Sequence, residues 1–138
     1  MITNKAFVDT SVILRILVKD DDNKRKNSIA LIKNAKNKGL SLYILPIALI
    51  ETVFVLEKVY KLPKETIKEL IEAILNTPEL KVELEDIFRN AISEYASKNI
   101  KFGDALMSYW GFGIGISIVY TYDSKDFKRI KGLEVRDP

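Results

Sequence analysis

The stretch AFVDTSVILRILVK, residues 6–19, joins two apolar runs and has Asp9 between them. Residues 6–8 are predicted to form a strand, and residues 11–19 are predicted to form a largely buried helix. The chain therefore passes from strand to helix at an acidic residue. Because the same alternation recurs further along, this stretch decides the fold class.

Further strand-like segments lie at residues 40–45, 80–84, 116–122 and 133–135, and helical patterns lie at residues 23–38, 46–60, 63–77, 86–99 and 102–110. Glycines at positions 111, 113 and 115 predict that the last helix ends near Trp110. The apolar face of the helix at 46–60 is predicted to consist of Ile47, Ile50, Phe54 and Val55. Strands separated by helices predict an α/β fold, with a central parallel sheet in a three-layer α/β/α arrangement.

Composition limits both the organisation and the chemistry of the chain. Its 138 residues are 47% apolar and predict one globular domain, residues 1–138. With no Cys and no His, disulfides, thiol catalysis and the usual zinc ligands are excluded. The N-terminus has no signal-peptide pattern, and the longest apolar stretch, residues 40–56, is interrupted and too short to span a bilayer. We therefore expect a cytoplasmic protein with no membrane partner.

Four acidic residues each interrupt or end an apolar stretch: Asp9, Glu51, Asp104 and Asp123. A buried charge costs roughly several kcal/mol unless it is paired or coordinated, so this pattern suggests one shared metal site. Sites in parallel sheets form beyond the carboxyl ends of the strands, where Asp9 and Asp123 are predicted to lie. Carboxylate oxygens suit Mg²⁺ or Mn²⁺. An acidic pocket in a chain of net charge +3 suits a polyanionic substrate.

Each acid also has a local interpretation. Asp9 and Asp104 are alternatively helix N-caps, and Asp123 alternatively initiates a turn. Glu51 is predicted to be buried because apolar residues surround it, and its alternative role is a buried ion pair with a lysine. Asp126 is either a fifth acid of the site or a surface residue beside neighbouring lysines.

A basic segment follows Asp123 and consists of Lys125, Lys128, Arg129 and Lys131. These side chains either contact an RNA backbone or form a solvated loop. The nearby glycines do not have the spacing of a phosphate-binding loop.

The chain resembles the PIN domain, and especially the VapC-type toxin nucleases. The resemblance rests on Phe7-Val8-Asp9-Thr10-Ser11, on Glu51 with residues 55–60, on Phe102-Gly103-Asp104-Ala105, and on residues 121–127. It covers nearly the whole chain. It implies a central parallel sheet, an endoribonuclease that uses Mg²⁺ or Mn²⁺ to hydrolyse RNA, a homodimer, and an antitoxin protein that blocks the site.

The same resemblance assigns roles to individual residues. Asp9 and Asp104 match the principal metal ligands, and Glu51 and Asp123 complete the acidic cluster. Ser11 matches a small polar residue whose hydroxyl contacts metal-bound water or a phosphate. The glycines at 111, 113 and 115 depart from the family pattern, in which the helix continues.

Three other functions are alternatives to RNA cleavage. A non-catalytic nucleic-acid-binding or regulatory domain would keep the fold without needing all four acids. DNA cleavage is the nearest enzymatic alternative. A phosphotransferase of the haloacid dehalogenase type would have a second Asp where this chain has Ser11.

Overall fold

The computed structural model describes residues 4–138, which form two compact units. The first unit contains the described residues up to Leu62 together with Leu70–Glu83, and the second contains Pro63–Glu69 together with Leu84–Pro138. None of the helices between residues 4 and 138 combines the length and the apolar character needed to cross a bilayer.

A three-stranded parallel sheet organises the first unit. Its strands are β1 (Asn4–Phe7), β2 (Leu40–Ile44) and β3 (Leu80–Val82), in the order β1-β2-β3. In β2, Leu42 and Ile44 are fully buried, as is typical of the middle strand of a parallel sheet. Phe7, the last residue of β1, pairs with Tyr43, so β1 ends two residues before Asp9.

Three helices accompany this sheet: α1 (Thr10–Leu17), α2 (Asp22–Ala35) and α3 (Pro46–Lys58). Each begins at a residue suited to a helix start. Asp9 and Asp21 cap α1 and α2 with their carboxylates, and Pro46 occupies the first turn of α3. Gly39 adopts the left-handed conformation, with φ 64°, and turns the chain from α2 into β2.

The buried face of α3 differs from the predicted one. Its buried residues are Ala48, Leu49, Thr52, Val53 and Leu56, whereas Ile47 is 65% exposed and Phe54 is 47% exposed. Because α3 is apolar on most sides, composition alone did not identify the face that packs inward. Glu51 shares the outward face with Ile47 and Phe54, and the prediction that it is buried was wrong.

Helix α4 (Lys64–Leu75) contributes its first residues, up to Glu69, to the second unit and the remainder to the first. Ile67, Ile71 and Ile74 are buried at the spacing of one helical face.

Two helices and a pair of parallel strands make up most of the second unit: α5 (Glu85–Lys98), α6 (Phe102–Gly113), β4 (Ile118–Tyr120) and β5 (Glu134–Arg136). Phe102, at the start of α6, contacts two aromatic rings of α5. Its ring stacks on Phe88 at 6.3 Å and meets Tyr95 edge-on at 5.7 Å. These contacts fix the first turn of α6, which carries Asp104.

Helix α6 ends later than predicted. The helix passes through Gly111 to Gly113, and the chain turns at Gly115, where φ is +82°. The Gly115 N–H donates to the Phe112 carbonyl and the Ile116 N–H donates to the Gly111 carbonyl, which is the Schellman pattern of helix termination. Only the third glycine therefore ends the helix.

The α/β class and the parallel sheet predicted from the sequence are confirmed. The strand predicted at 116–122 is shorter and spans only Ile118–Tyr120.

Candidate functional site

Asp9 is the N-cap of α1 and is exposed to solvent. One carboxylate oxygen, Oδ2, accepts hydrogen bonds from the Ser11 hydroxyl at 2.7 Å and from the Ser11 N–H at 3.2 Å. These bonds, led by the one from the hydroxyl, hold the pKa of the Asp9 carboxyl below its usual value. Asp9 is thus a fixed, ionised carboxylate, and the capping role foreseen for it is realised. Ser11 is the residue that orients it.

Thr10, which directly follows Asp9, forms a hydrogen bond with Glu51. The buried hydroxyl of Thr10 donates to Glu51 Oε2 at 2.8 Å and lies 3.4 Å from the Ala48 carbonyl. The alternative role of Glu51 was an ion pair with a lysine, whereas its partner in the structure is this hydroxyl. Because Thr10 follows Asp9 in sequence and bonds Glu51, it links two of the predicted site residues within the first unit.

Asp104 lies in the first turn of α6, three residues after the N-cap residue Lys101, so it is not itself the cap. Its side chain is partly buried. Burial raises the pKa of the Asp104 carboxyl, the Lys101 ammonium lowers it, and the negative charges of Asp126 and Asp123 raise it. The net direction is upward, and burial is its largest cause, so the surroundings of Asp104 disfavour the charged form of its carboxyl.

Asp123 follows β4 and pairs with Lys101. Its Oδ2 lies 3.1 Å from Lys101 Nζ, and both side chains are largely exposed, at 65% and 68%. The Asp123 N–H donates to the Thr121 hydroxyl at 2.9 Å, which shapes the turn after the strand. The backbone of Asp123 therefore takes part in a turn, as the alternative interpretation predicted, while its carboxylate forms an ion pair with Lys101.

Asp126 is not the surface residue that one of its two interpretations predicted. Its side chain is only 8% exposed, and Oδ2 accepts a hydrogen bond from the Lys101 N–H at 2.9 Å. The expectation that Lys125 or Lys128 holds it was wrong, because its partner is backbone 25 residues earlier in the chain. Asp126 thus fixes the segment that leads into α6.

The basic residues after Asp123 are exposed: Lys125, Lys128, Arg129 and Lys131. Their contact with RNA stays a prediction.

The acids thus fall into two groups, Asp9 with Glu51 in the first unit and Asp104 with Asp123 and Asp126 in the second. Over residues 4–138, neither unit by itself brings three acidic side chains close enough together to hold a metal ion. The donors present are carboxylate and hydroxyl oxygens, which is the chemistry that Mg²⁺ and Mn²⁺ require. The residues therefore fit such an ion by donor type.

Two residues of these groups were missed by sequence reasoning, Thr10 and Lys101. Thr10 stood inside the recognised motif, but nothing in the sequence linked it to a residue 41 positions away. For Lys101, the available signal in the sequence was its position immediately before the helix that carries Asp104. One lysine among 22 basic residues does not by itself identify a role.

Comparison with known proteins extends over nearly the whole chain. The family model of the PIN domain matches residues 6–133. A VapC ribonuclease of Aquifex aeolicus (strain VF5) is 32% identical over 132 residues, which cover 96% of each protein. Among solved structures, VapBC2 from Rickettsia felis bound to a DNA fragment from its promoter aligns over 96% of this chain and 98% of that one, with 21% identity and a TM-score of 0.40. The chain therefore belongs to the PIN domain family, among its VapC-like members.

Proposed function

We propose that this protein is a divalent-metal-dependent endoribonuclease that hydrolyses RNA phosphodiester bonds, and that it is the toxin of a type II toxin–antitoxin pair. The observation that carries the proposal is the 32% identity to a VapC ribonuclease along almost the full length of both chains. The chain has no His and no Cys, so the carboxylates are its available ligands for a catalytic metal.

We propose Asp9, Glu51, Asp104 and Asp123 as the metal-binding and catalytic carboxylates, with Asp9 and Asp104 as the principal ligands. Asp9 is exposed and its pKa is held low by Ser11, and the carboxyl of Asp104 interacts with the negative charges of Asp123 and Asp126. A bound Mg²⁺ or Mn²⁺ would lower the pKa of a coordinated water and neutralise charge on the scissile phosphate.

Neighbouring residues prepare the carboxylates for this task. Ser11 fixes one oxygen of Asp9 and leaves the other, Oδ1, for a ligand. Thr10 holds Oε2 of Glu51 in the same way. Orienting bonds of this kind reduce the freedom that the carboxylates lose when they coordinate an ion. Asp126 is proposed as an accessory residue that acts through the backbone at Lys101.

We further propose that residues 1–138 act as one PIN-like domain, because the family match runs through both compact units. A homodimer and a cognate antitoxin are the proposed protein partners. Exposed apolar side chains in the second unit support a protein partner: Met107, Trp110, Ile114, Ile116, Ile118 and Tyr120. Cytoplasmic action is proposed because the substrate is RNA.

The test is cleavage of structured RNA, unstructured RNA and DNA by the purified protein in Mg²⁺, in Mn²⁺ and in EDTA. We expect RNA cleavage that requires the metal. Asp9→Asn and Asp104→Asn should each lose at least about 100-fold of the rate, since residues that only orient metal ligands already contribute roughly 10- to 100-fold. Asp137→Asn, which alters an exposed acid near the C-terminus, is the matched control and should keep full activity.

Circular dichroism of each variant separates loss of activity from loss of fold. Full activity of Asp9→Asn or Asp104→Asn would contradict the assignment of the site. RNA binding with no cleavage under any condition would favour the non-catalytic nucleic-acid-binding domain, and metal-dependent cleavage confined to DNA would identify a deoxyribonuclease.

A further inference from the structure

The Lys101 side chain pairs with Asp123, one of the three candidate site acids of the second unit. Its ammonium contacts Asp123 Oδ2 at 3.1 Å. Its charge also interacts with the carboxylates of Asp104 and Asp126, and the bond to Asp123 is the main cause that raises the pKa of the lysine. The Lys101 ammonium is therefore in direct contact with one carboxylate, that of Asp123, and interacts through its charge with two others.

The backbone of Lys101 is fixed on both sides, so its side chain extends from a defined point. Asn99 ends α5 in the left-handed conformation, with φ 53°, and directs the chain back toward α6. The Lys101 N–H then donates to the buried carboxylate of Asp126, and the Lys101 carbonyl accepts from the Ala105 N–H at 3.1 Å. These contacts belong to the main chain and do not depend on the lysine side chain.

We propose that Lys101 is a tethered counterion that binds Asp123 when no divalent cation is present and releases it when the cation binds. This inference rests on the proposed function, because it takes Asp104 and Asp123 as metal ligands. The lysine would thereby set how tightly the protein holds its metal.

The ion pair between Lys101 and Asp123 can break because both side chains are exposed. Ion pairs between exposed side chains are weak, because water screens the charges and two mobile side chains lose freedom. The Lys101 ammonium therefore competes with an incoming cation for the Asp123 oxygen, but the ion pair is too weak to prevent that cation from binding. A divalent ion would both replace Lys101 at the Asp123 oxygen and repel the ammonium.

The test measures Mn²⁺ binding to the full chain without RNA, by titration calorimetry and by the paramagnetic resonance signal of free Mn²⁺. Lys101→Met removes the charge and keeps the backbone N–H that bonds Asp126. We expect it to bind Mn²⁺ roughly threefold tighter than the original chain at low ionic strength, with a smaller difference as salt increases. Lys101→Gln should behave alike and serves as the second variant should the methionine variant fail to fold.

Lys125→Met is the matched control, since it removes one exposed charge two residues from Asp123, and Lys125 makes no ion pair within residues 4–138. We expect a smaller change in Mn²⁺ affinity for this variant. Unchanged or weaker Mn²⁺ binding in both Lys101 variants, or an equal gain in Lys125→Met, would overturn the role of Lys101 while leaving the nuclease proposal intact. Absence of Mn²⁺ binding by the original chain would instead refute the metal-dependent function, and the inference with it.

Discussion

Replacing Asp126 by Ala distinguishes a structural carboxylate from a fifth metal ligand. The Asp126 side chain is 8% exposed, and its bond to the Lys101 N–H is 2.9 Å long. A hydrogen bond to a charged group contributes about 1.5–3 kcal/mol, and its loss leaves a partly buried N–H without an acceptor. We therefore expect Asp126→Ala to lower the free energy of unfolding by about 2–3 kcal/mol. Asp126→Asn retains an acceptor oxygen and should lower it by about 1 kcal/mol.

Urea denaturation is the assay, followed both by circular dichroism and by tryptophan fluorescence. Trp110 is the one tryptophan of the chain and belongs to α6, the helix that follows the Asp126–Lys101 bond, so its emission reports on the affected unit. In thermal unfolding, the loss of 2–3 kcal/mol corresponds to a decrease in Tm of roughly 6–12 °C for a chain of this length. Asp137→Ala removes an exposed acid and should leave the midpoint unchanged.

One result would refute the reasoning. If Asp126→Ala unfolds at the same urea concentration as the original chain but no longer binds Mn²⁺, then Asp126 is a ligand and its bond to the Lys101 N–H is incidental. A loss of stability shared by Asp126→Ala and the Asp137→Ala control would also contradict the assignment.

Three further outcomes follow from contacts elsewhere in the two units. Thr10→Val keeps the shape of the side chain but removes its hydrogen bond to Glu51, so we expect RNA cleavage to fall about tenfold while Thr10→Ser stays active; equal rates would contradict the positioning role. Lys61 is exposed with φ 53°, so Lys61→Gly should raise the free energy of unfolding by about 0.5–1 kcal/mol in urea denaturation, and a decrease would be inconsistent with strain there. Burial and the bond to Glu94 raise the pKa of Tyr109 from 10.0 to about 12. The stability from this shift is present below pH 10 and is lost as pH rises to about 12, by up to about 2 kcal/mol, so denaturation of Tyr109→Phe should depend less on pH across that interval.

The fold was predictable where local signals and tertiary packing agree. Several boundary signals act within a few residues, so the sequence identified these boundaries: the apolar run that ends at Asp9, Pro46 at the start of α3, Pro63 just before α4, and Gly39 before β2. The end of α6 was harder. Three glycines are chemically equivalent in the sequence, and the one that terminates the helix is identified by its backbone angle and by hydrogen bonds that only the folded chain has.

The sequence predicted which residue types belong to the candidate site, but it did not predict how buried each residue is or what it contacts. Glu51 was expected to be buried because its neighbours are apolar, but α3 packs inward with Leu49, Val53 and Leu56 and leaves Glu51 outside. One of the two interpretations of Asp126 placed it on the surface beside neighbouring lysines, yet it is buried against a distant backbone N–H. Sequence neighbours describe burial poorly when a helix is apolar on several faces or when a polar loop folds inward.

The ring contacts of Phe102 have a consequence for genetic screens. Phe102 stands two residues before Asp104, and its ring is held between Phe88 and Tyr95 in α5. Under the proposed toxin function, a selection for cells that survive expression of the protein would therefore return substitutions at these aromatic positions alongside substitutions of the carboxylates. Alleles of the first kind should lose toxicity on warming and regain it on cooling, whereas alleles of the second kind should be inactive at every growth temperature.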